Sequence, residues 1–528
     1  MAAQIDCGKE KHIMNKKISL TSLFLTILLI AFSITSCSSV PSAGTITAIN
    51  EDGSMIITDN EGNTYTVPPY VAEETVETVK TTGIVNVYDH GAKGNGTDDD
   101  TSSIQEAVNA LSTGGVLYIP SGTYKITAPI SFEKGDIIIE GNGASTILVH
   151  SFAPSDSESA DKASLFSFAD GISNVQIRDL SMTYAAGSEK KGSTNGIYFG
   201  KCENVFVEDV DIRQFSNSGI LFSETAKDFS THISVKNCIL SDNYAAGINI
   251  GHVDGIAVTG CDLYKNGTGK DTVGYGVYVS ENASPKNIRV FGNRIYENSA
   301  AGIYITSGED IDILNNNVVL NKQYGIYASG EKINFVVISN NFVTDMIASA
   351  ANNIFKDKYF CAIYTGATSE STDIGSFTVM NNTVKNFNLT TGSAYGFVVE
   401  TCGNTFINFT DNIFEGNTVE GAVLVKDNSK DSPKNDIVFT NNMFRIRNSA
   451  KNGIVFNGAQ KLNISQNRLQ FDKISGEACI YVNSNAAQVI TSYNIIHDAT
   501  SKAKDIAFSK DPSVLLRDGD LFNGKDIA

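Results

Sequence analysis

Tryptophan is absent from this chain of 528 residues, and basic residues are scarce relative to acidic ones. Forty Lys and Arg stand against 58 Asp and Glu, a formal net charge of −18, and no Lys/Arg-rich run occurs beyond the N-terminus. Nucleic-acid binding needs cations that neutralise phosphates, so this composition argues against a nucleic-acid partner. An acidic surface also repels polyanions unless local cations intervene. Without Trp, stacking on the flat face of a ligand has to use Tyr or Phe.

Cysteines are few, and their positions predict no metal site. The eight cysteines show no metal-ligand spacing. Six of them lie well inside the chain, and two of these, Cys238 and Cys261, occupy equivalent positions of a repeat described below. Buried free thiols are the expectation for all six, with one disulfide as the alternative because the chain carries an export signal.

That signal occupies the N-terminus. Lys16 and Lys17 precede an apolar run from Leu20 to Ile34, which leads into Cys37 and is too short for a comfortable membrane span. The segment resembles a bacterial lipoprotein signal peptide, which implies cleavage before Cys37 and acylation of that cysteine. We expect residues 1–37 to be the signal peptide with its lipidated cysteine, and residues 14–36 to be the functional part. The protein would then be extracytoplasmic, anchored to a membrane at the outer membrane or cell surface; an ordinary cleaved signal peptide is the alternative.

Residues 38–83 predict a small β-meander followed by a linker. Apolar and polar residues alternate over 44–67 around two turn-forming segments, 51–53 and 60–63. Pro68, Pro69 and the acidic, Thr-rich stretch that follows are typical of a tether.

A short phrase repeats about ten times in the rest of the chain. It consists of a small residue, an apolar residue, a free position and usually a second apolar residue, and its first six copies are separated by 23 to 29 residues. Self-similarity at this period indicates stacked supersecondary units. The phrase begins at Gly196, Gly219, Gly247, Gly276, Gly302, Gly325, Ala362, Gly396, Gly421, Gly453 and Cys479.

A second phrase in each period identifies the unit as β-structure. It is an alternating apolar strand that ends in a polar residue, and from Asn293 onward that residue is an Asn in each copy. Two or three short strands per period of roughly 25 residues describe one coil of a parallel β-solenoid. Leucine-rich repeats fit poorly because no amphipathic helix fits within the period. We expect the Asn column to point inward as a hydrogen-bonded ladder, a structural rather than a catalytic feature.

The segment 84–148 carries a more specific resemblance. A Gly- and Asp-rich loop spans 89–101, and Ile104, Ala107, Val108 and Leu111 then fall on one helical face after Asp100, which we expect to be an N-cap. This block, with the PbH1-type repeats that follow, resembles the pectate-lyase-like superfamily, especially its rhamnogalacturonase/epimerase-type branch.

The resemblance implies an all-β fold, a right-handed, single-stranded parallel β-helix over residues 84–500. It also implies a short helix over the N-terminal end of the solenoid, and we expect the tail 501–528 to cap the other end. A polysaccharide is the implied partner.

The free position of the repeated phrase predicts where that partner binds. The apolar residues on either side of it face the core, so the free position faces outward, and neighbouring coils lie roughly 4.8 Å apart. Reading the free positions along the stack predicts a strip of tyrosines suited to the faces of sugar rings, with same-face stabilisation of the sheet as the alternative interpretation. The tyrosines are Tyr198, Tyr278, Tyr304, Tyr327 and Tyr364.

Ionisable residues follow three positions after the free one. Glu224, His252 and Glu281 occupy consecutive coils, and Asp254 is near in sequence. Two carboxylates two coils apart would be separated by roughly 10 Å along the stack, close to the 6.5–9.5 Å typical of inverting glycosidases. The four residues are our catalytic candidates; a solvated turn with ordinary ion pairing is the alternative.

Two families with this fold are a poor match at their motifs. In register with the repeats, the positions of the polygalacturonase carboxylates and His hold 193–195, 217–218 and 244–246, which contain neither group. The Tyr/Asp-Pro-His phrase of mannuronan epimerases is also missing. The resemblance therefore implies a polysaccharide lyase or glycoside hydrolase, with a non-catalytic glycan-binding or adhesive β-helix as the alternative. No cofactor is expected, except Ca²⁺ if the protein is a uronate lyase.

Overall fold

The chain contains two compact units, 1–78 and 79–528. A computed structural model describes residues 44–49, 55–59, 64–67, 83–152, 159–185, 194–267, 273–346, 359–369, 375–389, 394–418, 420–429, 435–483, 487–500, 502–509 and 511–527. The predicted signal peptide and Cys37 lie outside the described residues. In the first unit the strands Gly44–Ile49, Met55–Asp59 and Thr64–Val67 form an antiparallel sheet in chain order.

The second unit is a parallel β-helix, because each strand pairs in parallel with the equivalent strand one coil later. Its strands form three faces, and four long strands run across two faces each. The long strands are Ile172–Tyr184 and Cys202–Arg213, shared by the second and third faces, and Ala301–Leu314 and Tyr324–Ser339, shared by the first and second.

The remaining strands belong to one face each. On the first face they are Ile130–Phe132, Phe166–Phe168, Ile197–Phe199, Ser218–Phe222, Ala246–Asn249, Tyr275–Val279, Phe360–Ala367, Ala394–Thr401, Gly421–Asp427, Ile454–Asn457, Ala478–Val482 and Lys504–Phe508. On the second face they are Gly83–Asn86, Gly115–Tyr118, Ile137–Glu140, Ser230–Lys236, Val253–Thr259, Lys286–Phe291, Gly375–Met380, Thr405–Thr410, Asp436–Thr440, Lys461–Ser465, Gln488–Ser492 and Val514–Asp518. On the third face they are Asn95–Asp99, Gly122–Ile126, Thr146–His150, Ile239–Ser241, Asp262–Tyr264, Arg294–Tyr296, Asn317–Val319, Phe342–Thr344, Thr383–Leu389, Ile413–Thr418, Met443–Ala450, Arg468–Ile474, Ile495–Asp498 and Asp520–Phe522.

The repeated phrase builds the first face. Its two apolar positions face a continuous core, so that Ile303 and Ile305 are fully buried while Tyr304 between them is half-buried. The glycine that opens the phrase marks a close approach between coils. A Cβ atom added to Gly276 would lie 2.6 Å from the carbonyl oxygen of Gly302. The recurrence of glycine at this position therefore has a steric cause.

The second phrase builds the corner between the second and third faces, and its Asn residues form the predicted ladder. Asn293 Nδ2 donates to Asn316 Oδ1 at 3.0 Å, and Asn316 Nδ2 donates in the same way to Asn341 at 3.0 Å. Each amide also donates to a backbone carbonyl of the preceding coil, as Asn316 does to Val290 at 2.9 Å. The residue before the ladder position has a positive φ, 57° at Asn315, which Asn tolerates better than most side chains. The ladder reaches Asn494, and its structural role is confirmed.

The helix Thr101–Ala110 packs its buried residues Ile104, Ala107 and Val108 against the core, as predicted for the N-terminal end. Asp100 occupies the N-cap position but makes no side-chain capping bond. Its carboxylate instead accepts from the backbone amides of Lys93, at 2.6 Å, and Gly94, at 3.2 Å, which fixes the loop before the helix. Asp100 therefore occupies the predicted N-cap position, but the prediction that its side chain caps the helix is wrong.

Parallel pairing continues beyond residue 500, since Lys504–Phe508 and Val514–Asp518 extend the first and second faces by a further strand each. The only antiparallel pairing of the described β-helix joins Asp520–Phe522 to Lys525–Ile527. A second short helix, Ala160–Ala163, lies between coils. Neither helix in the described ranges is long and apolar enough to cross a membrane. The six described cysteines are buried, and each carries a thiol rather than a disulfide.

Candidate functional site

The free positions of the repeated phrase form one outward row, here called the central row. The register of the first face aligns Tyr278, Tyr304, Tyr327 and Tyr364 on successive coils. The predicted order continues through Val398 but then changes. Leu424, not Val423, occupies the row. The reason is that Gly421 pairs with Tyr395, the residue before the glycine of the repeated phrase, and not with that glycine itself. Val423 points inward and is fully buried.

The four tyrosines of the central row are in ring contact. Centroids of Tyr278 and Tyr304 are 6.2 Å apart, those of Tyr304 and Tyr327 4.5 Å, and those of Tyr327 and Tyr364 4.8 Å. The first two pairs are stacked with interplanar angles of 13° and 16°. The predicted aromatic strip is therefore present over four coils. Tyr198 lies in the same row but three coils from Tyr278, with Leu221 and Asn249 between them.

A second row of tyrosines lies beside the first and was missed from the sequence. Tyr275, Tyr324 and Tyr395 each precede the glycine of the repeated phrase and align with one another through Ala301 and Cys361. Their rings back the central row: Tyr275 and Tyr278 stack at 4.6 Å, and Tyr324 and Tyr327 meet at 4.9 Å. The alternation with Ala and Cys hid this row from a search for repeats. We refer to both rows together as the tyrosine strip.

The two rows differ in how much of each tyrosine side chain is exposed. Tyr275, Tyr324 and Tyr395 are at most 8% exposed. In the central row Tyr278, Tyr304 and Tyr327 are half-buried, whereas Tyr364 is 6% exposed. The accessible aromatic surface therefore lies mainly on the central row, and the second row packs beside it.

One end of the strip carries two of the predicted catalytic carboxylates. Glu224 and Glu281 follow first-face strands two coils apart. Burial, and then the negative charges of both carboxylates, raise the pKa of the Tyr278 phenol. Asn249, in the central row between them, donates from Nδ2 to Glu224 Oε1 at 3.3 Å. The Asn249 amide oxygen is buried without a hydrogen-bond partner. The structure thus brings Glu224, Glu281 and Tyr278 together.

The other two catalytic candidates are placed differently. His252 lies on the coil between the two carboxylates and is half-buried. Its ring contacts the Phe229 ring edge-on, with the centroids 5.7 Å apart. Asp254 lies in the second-face strand Val253–Thr259, in register with Thr231 and Lys286, and accepts from Asn287 Nδ2 at 2.6 Å. Asp254 therefore lies on the second face rather than beside the other three candidates on the first, because the chain has already turned at residue 253.

The opposite end of the strip carries a buried ion pair that sequence reasoning missed. Two residues after the central row, Gly366, Glu400 and Lys426 align on successive coils. Lys426 Nζ donates to Glu400 Oε1 at 2.8 Å, and the side chains are 33% and 5% exposed. The earlier members of this row are small, including Ser280 and Ser329. A single Glu and a single Lys in a row of small residues leave no periodic signal.

Tyrosines surround this ion pair. The Tyr364 phenol is hydrogen-bonded to Glu400, and burial together with the Glu400 charge raises the pKa of Tyr364 far above its ordinary value. Burial and the charges of Glu400 and Glu420 also raise the pKa of Tyr359, which Lys426 partly opposes. Tyr364 is therefore a protonated donor to Glu400 and is unsuited to act as a base at neutral pH.

Taken together, the first face carries accessible tyrosine rings with a carboxylate pair at one end and a Glu–Lys–Tyr cluster at the other. Such an arrangement can contact sugar rings through the exposed edges of the tyrosines and exchange hydrogen bonds with hydroxyl groups. The described residues contain no group of three or more His, Cys, Asp or Glu that could hold a metal ion.

Two family models match parts of this chain. A family model described as right handed beta helix region matches residues 167–342, and one described as rhamnogalacturonase A/epimerase, pectate lyase-like, matches residues 84–162. The resemblance inferred from the sequence is therefore confirmed, as is the β-helical fold.

Individual relatives are distant. Alginate lyase 7 of Azotobacter vinelandii is 28% identical over 32% of this chain and 21% of that protein. Mannuronan C5-epimerase AlgE5 of the same organism is 23% identical over 44% of this chain and 26% of that protein. The chain thus aligns with about a quarter or less of the length of these curated relatives. The A-module of mannuronan C-5 epimerase AlgE6 from Azotobacter vinelandii has a solved structure that superimposes with a TM-score of 0.45 and 15% identity, over 84% of this chain and all of that one.

Proposed function

We propose that this chain, which resembles the pectate-lyase-like superfamily over residues 84–162 and 167–342, binds a polysaccharide along the tyrosine strip and cleaves it, as a lyase or a glycoside hydrolase. The observation that carries this proposal is the run of half-buried rings at Tyr278, Tyr304 and Tyr327, spaced 4.5–6.2 Å apart and open to solvent. Because the rings of Tyr304 and Tyr327 stack on each other, the row presents ring edges to the solvent, and edges at this spacing can contact consecutive sugar rings. The names of the relatives, an alginate lyase and a mannuronan epimerase, agree with a polysaccharide ligand.

For cleavage we propose Glu224 and Glu281 as the reacting carboxylates. Their coils are roughly 10 Å apart along the axis, and the charges of both carboxylates raise the pKa of Tyr278. This spacing is close to the range of about 6.5–9.5 Å in which one carboxylate protonates a leaving oxygen while the other activates water. His252, on the intervening coil, is proposed to position the pair. No step of this proposal runs through Ca²⁺.

A non-catalytic glycan-binding protein is the second candidate. It is favoured by the hydrogen bond from Asn249 to Glu224 and by the ion pair of Lys426 with Glu400, since groups held in this way can bind sugar hydroxyls without reacting. The two candidates share the tyrosine strip and differ in what the carboxylates do.

One experiment separates them. The purified protein is incubated with a panel of polysaccharides, and products are followed both as new reducing ends and as absorbance of unsaturated uronate. Reducing ends alone indicate hydrolysis, both signals indicate a lyase, and binding without either signal supports the non-catalytic candidate. Glu281→Gln should abolish turnover and preserve binding; unchanged turnover in this variant would refute the assignment of Glu281.

We also propose that the protein is a lipoprotein held by an acylated Cys37 at the outer membrane or cell surface. The sequence resemblance of residues 14–37 to a lipoprotein signal peptide supports this proposal. Cys37→Ala should move the protein from the membrane fraction to the soluble fraction. Membrane association that still requires detergent after this substitution would contradict the anchor.

A further inference from the structure

The ion pair at the far end of the tyrosine strip requires an explanation other than stability. Removing Glu400 and Lys426 from water carries a desolvation penalty that their mutual attraction at best offsets, so apolar side chains of similar size would hold the coils together equally well. Their neighbours in the central row, Val398 and Leu424, are in fact apolar and at most 2% exposed. A charged pair placed beside them, at the end of a ligand-binding surface, is better explained by recognition.

The backbone is shaped to hold Glu400 in place. Gly366, on the preceding coil, has a φ of 133°, and a Cβ atom added to it would lie 2.0 Å from the carbonyl oxygen of Glu400. Only glycine permits this approach. The Glu400 carboxylate then receives the Tyr364 phenol from one side and the Lys426 ammonium, at 2.8 Å, from the other.

The pair has no net charge, and this decides which ligand it suits. An ammonium has three donor hydrogens, of which one serves Glu400, and the Lys426 side chain is 33% exposed. A sugar hydroxyl, which both donates and accepts, can use the ammonium and the carboxylate together. A sugar carboxylate would gain at Lys426 about what it loses by repulsion from Glu400.

The composition of the rest of the strip also favours an uncharged ligand. From Tyr275 to Gly366 the three outward rows of the described first face consist of Tyr, Ala, Cys, Ser, Thr and Gly, with no Lys or Arg to neutralise an acidic sugar. The near end adds the carboxylates of Glu224 and Glu281. A polyuronate would therefore cross four coils without a counter-charge, meet carboxylates at the near end and find a pair of no net charge at the far end.

We propose that Tyr364, Glu400 and Lys426 form a hydroxyl-binding subsite, and that the tyrosine strip selects an uncharged polysaccharide over a polyuronate. This inference rests on the proposed function and deepens it. It also limits the chemistry, because elimination requires the acidified hydrogen beside a uronate carboxylate. Cleavage of a chain that carries neither uronate nor uronate ester groups has to be hydrolysis, in which water supplies the hydroxyl of the new reducing end and a proton to the leaving oxygen.

The test compares neutral hexasaccharides of glucose, mannose and galactose with the corresponding uronate hexasaccharides, using the full protein and isothermal titration at low and high NaCl. We expect binding of a neutral member with an affinity that salt leaves unchanged. Tighter binding of a uronate member that weakens at high salt would overturn the inference while leaving the proposed function standing. Failure of every member to bind would overturn both.

Variants test the subsite itself. Glu400→Gln and Lys426→Met should each weaken neutral binding at least about tenfold, because each leaves a charge-assisted bond unmade. The double change Glu400→Leu with Lys426→Met should keep the melting temperature and still lose affinity, which separates recognition from folding. Lys461→Met is the matched control, since Lys461 makes a similar cross-coil contact to Asp436, at 3.4 Å, on the second face. Equal affinity of the double variant and the control would refute the subsite.

Discussion

A buried histidine makes the stability of the β-helix depend on pH in a way that can be calculated. His150 ends the third-face strand Thr146–His150, is 0% exposed and lies in ring contact with Phe152 at 3.7 Å and Tyr184 at 4.8 Å. A ring nitrogen, Nε2, is 3.3 Å from the carbonyl oxygen of Ala163. Burial lowers the pKa of His150 from 6.5 to about 4, because the apolar surroundings disfavour the imidazolium ion.

The sign follows from which state binds the proton. Between pH 6.5 and 4 the unfolded chain protonates this histidine and the folded chain does not, so the free energy of unfolding falls as the pH falls through this window. Above pH 6.5 both states are neutral and the contribution is constant. A difference of about 2.5 pKa units corresponds to roughly 3 kcal/mol lost once the pH is well below 4, of which roughly 2 kcal/mol is already lost at pH 5.

His150→Phe isolates this effect, because the aromatic contacts are kept and the titration is removed. Carboxylates shift the stability of both proteins equally, so the difference between their urea-unfolding free energies from pH 7.5 to 4 reports His150 alone. A histidine-labelled NMR titration gives the pKa directly, the resonance being assigned by its absence in the variant. A midpoint near 6.5, or a stability difference that does not change with pH, would refute the reasoning.

Three further substitutions test the site and the scaffold. Tyr304→Ala should weaken oligosaccharide binding about tenfold, since a lost aromatic contact is worth roughly 0.5–1.5 kcal/mol beyond its area; Tyr264→Ala, which removes a ring stacked on the third face, should not, and equal effects would place binding elsewhere. Gly366→Ala should lower the melting temperature by several degrees, because its φ is 133° and the new Cβ would meet a carbonyl oxygen at 2.0 Å; Gly292→Ala, with open space around it, should cost less, and equal melting temperatures would contradict the steric account. Asn382→Ala should destabilise the fold by roughly 2–4 kcal/mol in urea unfolding, since it removes the buried bonds that Asn382 makes to Asn341 and to the Ile338 carbonyl on the preceding coil; a value below about 1 kcal/mol would mean that the ladder carries little stability.

The fold was predictable because its signals repeat. A glycine at a close approach between coils, an inward apolar residue on each side of an outward one, and an Asn after an αL residue recur in coil after coil, and each recurrence reinforces the others. The central row of tyrosines followed from the same alternation. The predicted alignment was wrong by one residue at Gly421, because this glycine lies one position before the place that glycine takes in the other copies of the phrase.

The candidate site was only partly predictable because its chemistry does not repeat. Asp254 was grouped with first-face residues but lies on the second face, because the turn between these faces leaves no visible break in the alternation of the sequence. Glu400 and Lys426 were missed since each occurs once in a row of small residues, and their partnership depends on strands 26 residues apart. Functional residues of a solenoid are exceptions to its repeat, so a search for recurrence passes over them.

The two kinds of row explain how one scaffold can carry a specific site. The Asn ladder runs in one direction, each amide donating to the next coil, until Asn494 donates to the Asp520 carboxylate at 2.8 Å and Arg517 lies 3.7 Å from that carboxylate. A polarised chain of this kind needs a strong acceptor at its end, and a carboxylate beside a guanidinium supplies it. The ladder occupies the corner between the second and third faces, whereas the tyrosine strip occupies the outward positions of the first. Outward positions can therefore change from Tyr to Val, or from Ser to Glu, without disturbing the groups that hold the coils in register. Substitutions in the ladder should alter assembly, and substitutions in the outward rows should alter which glycan is bound.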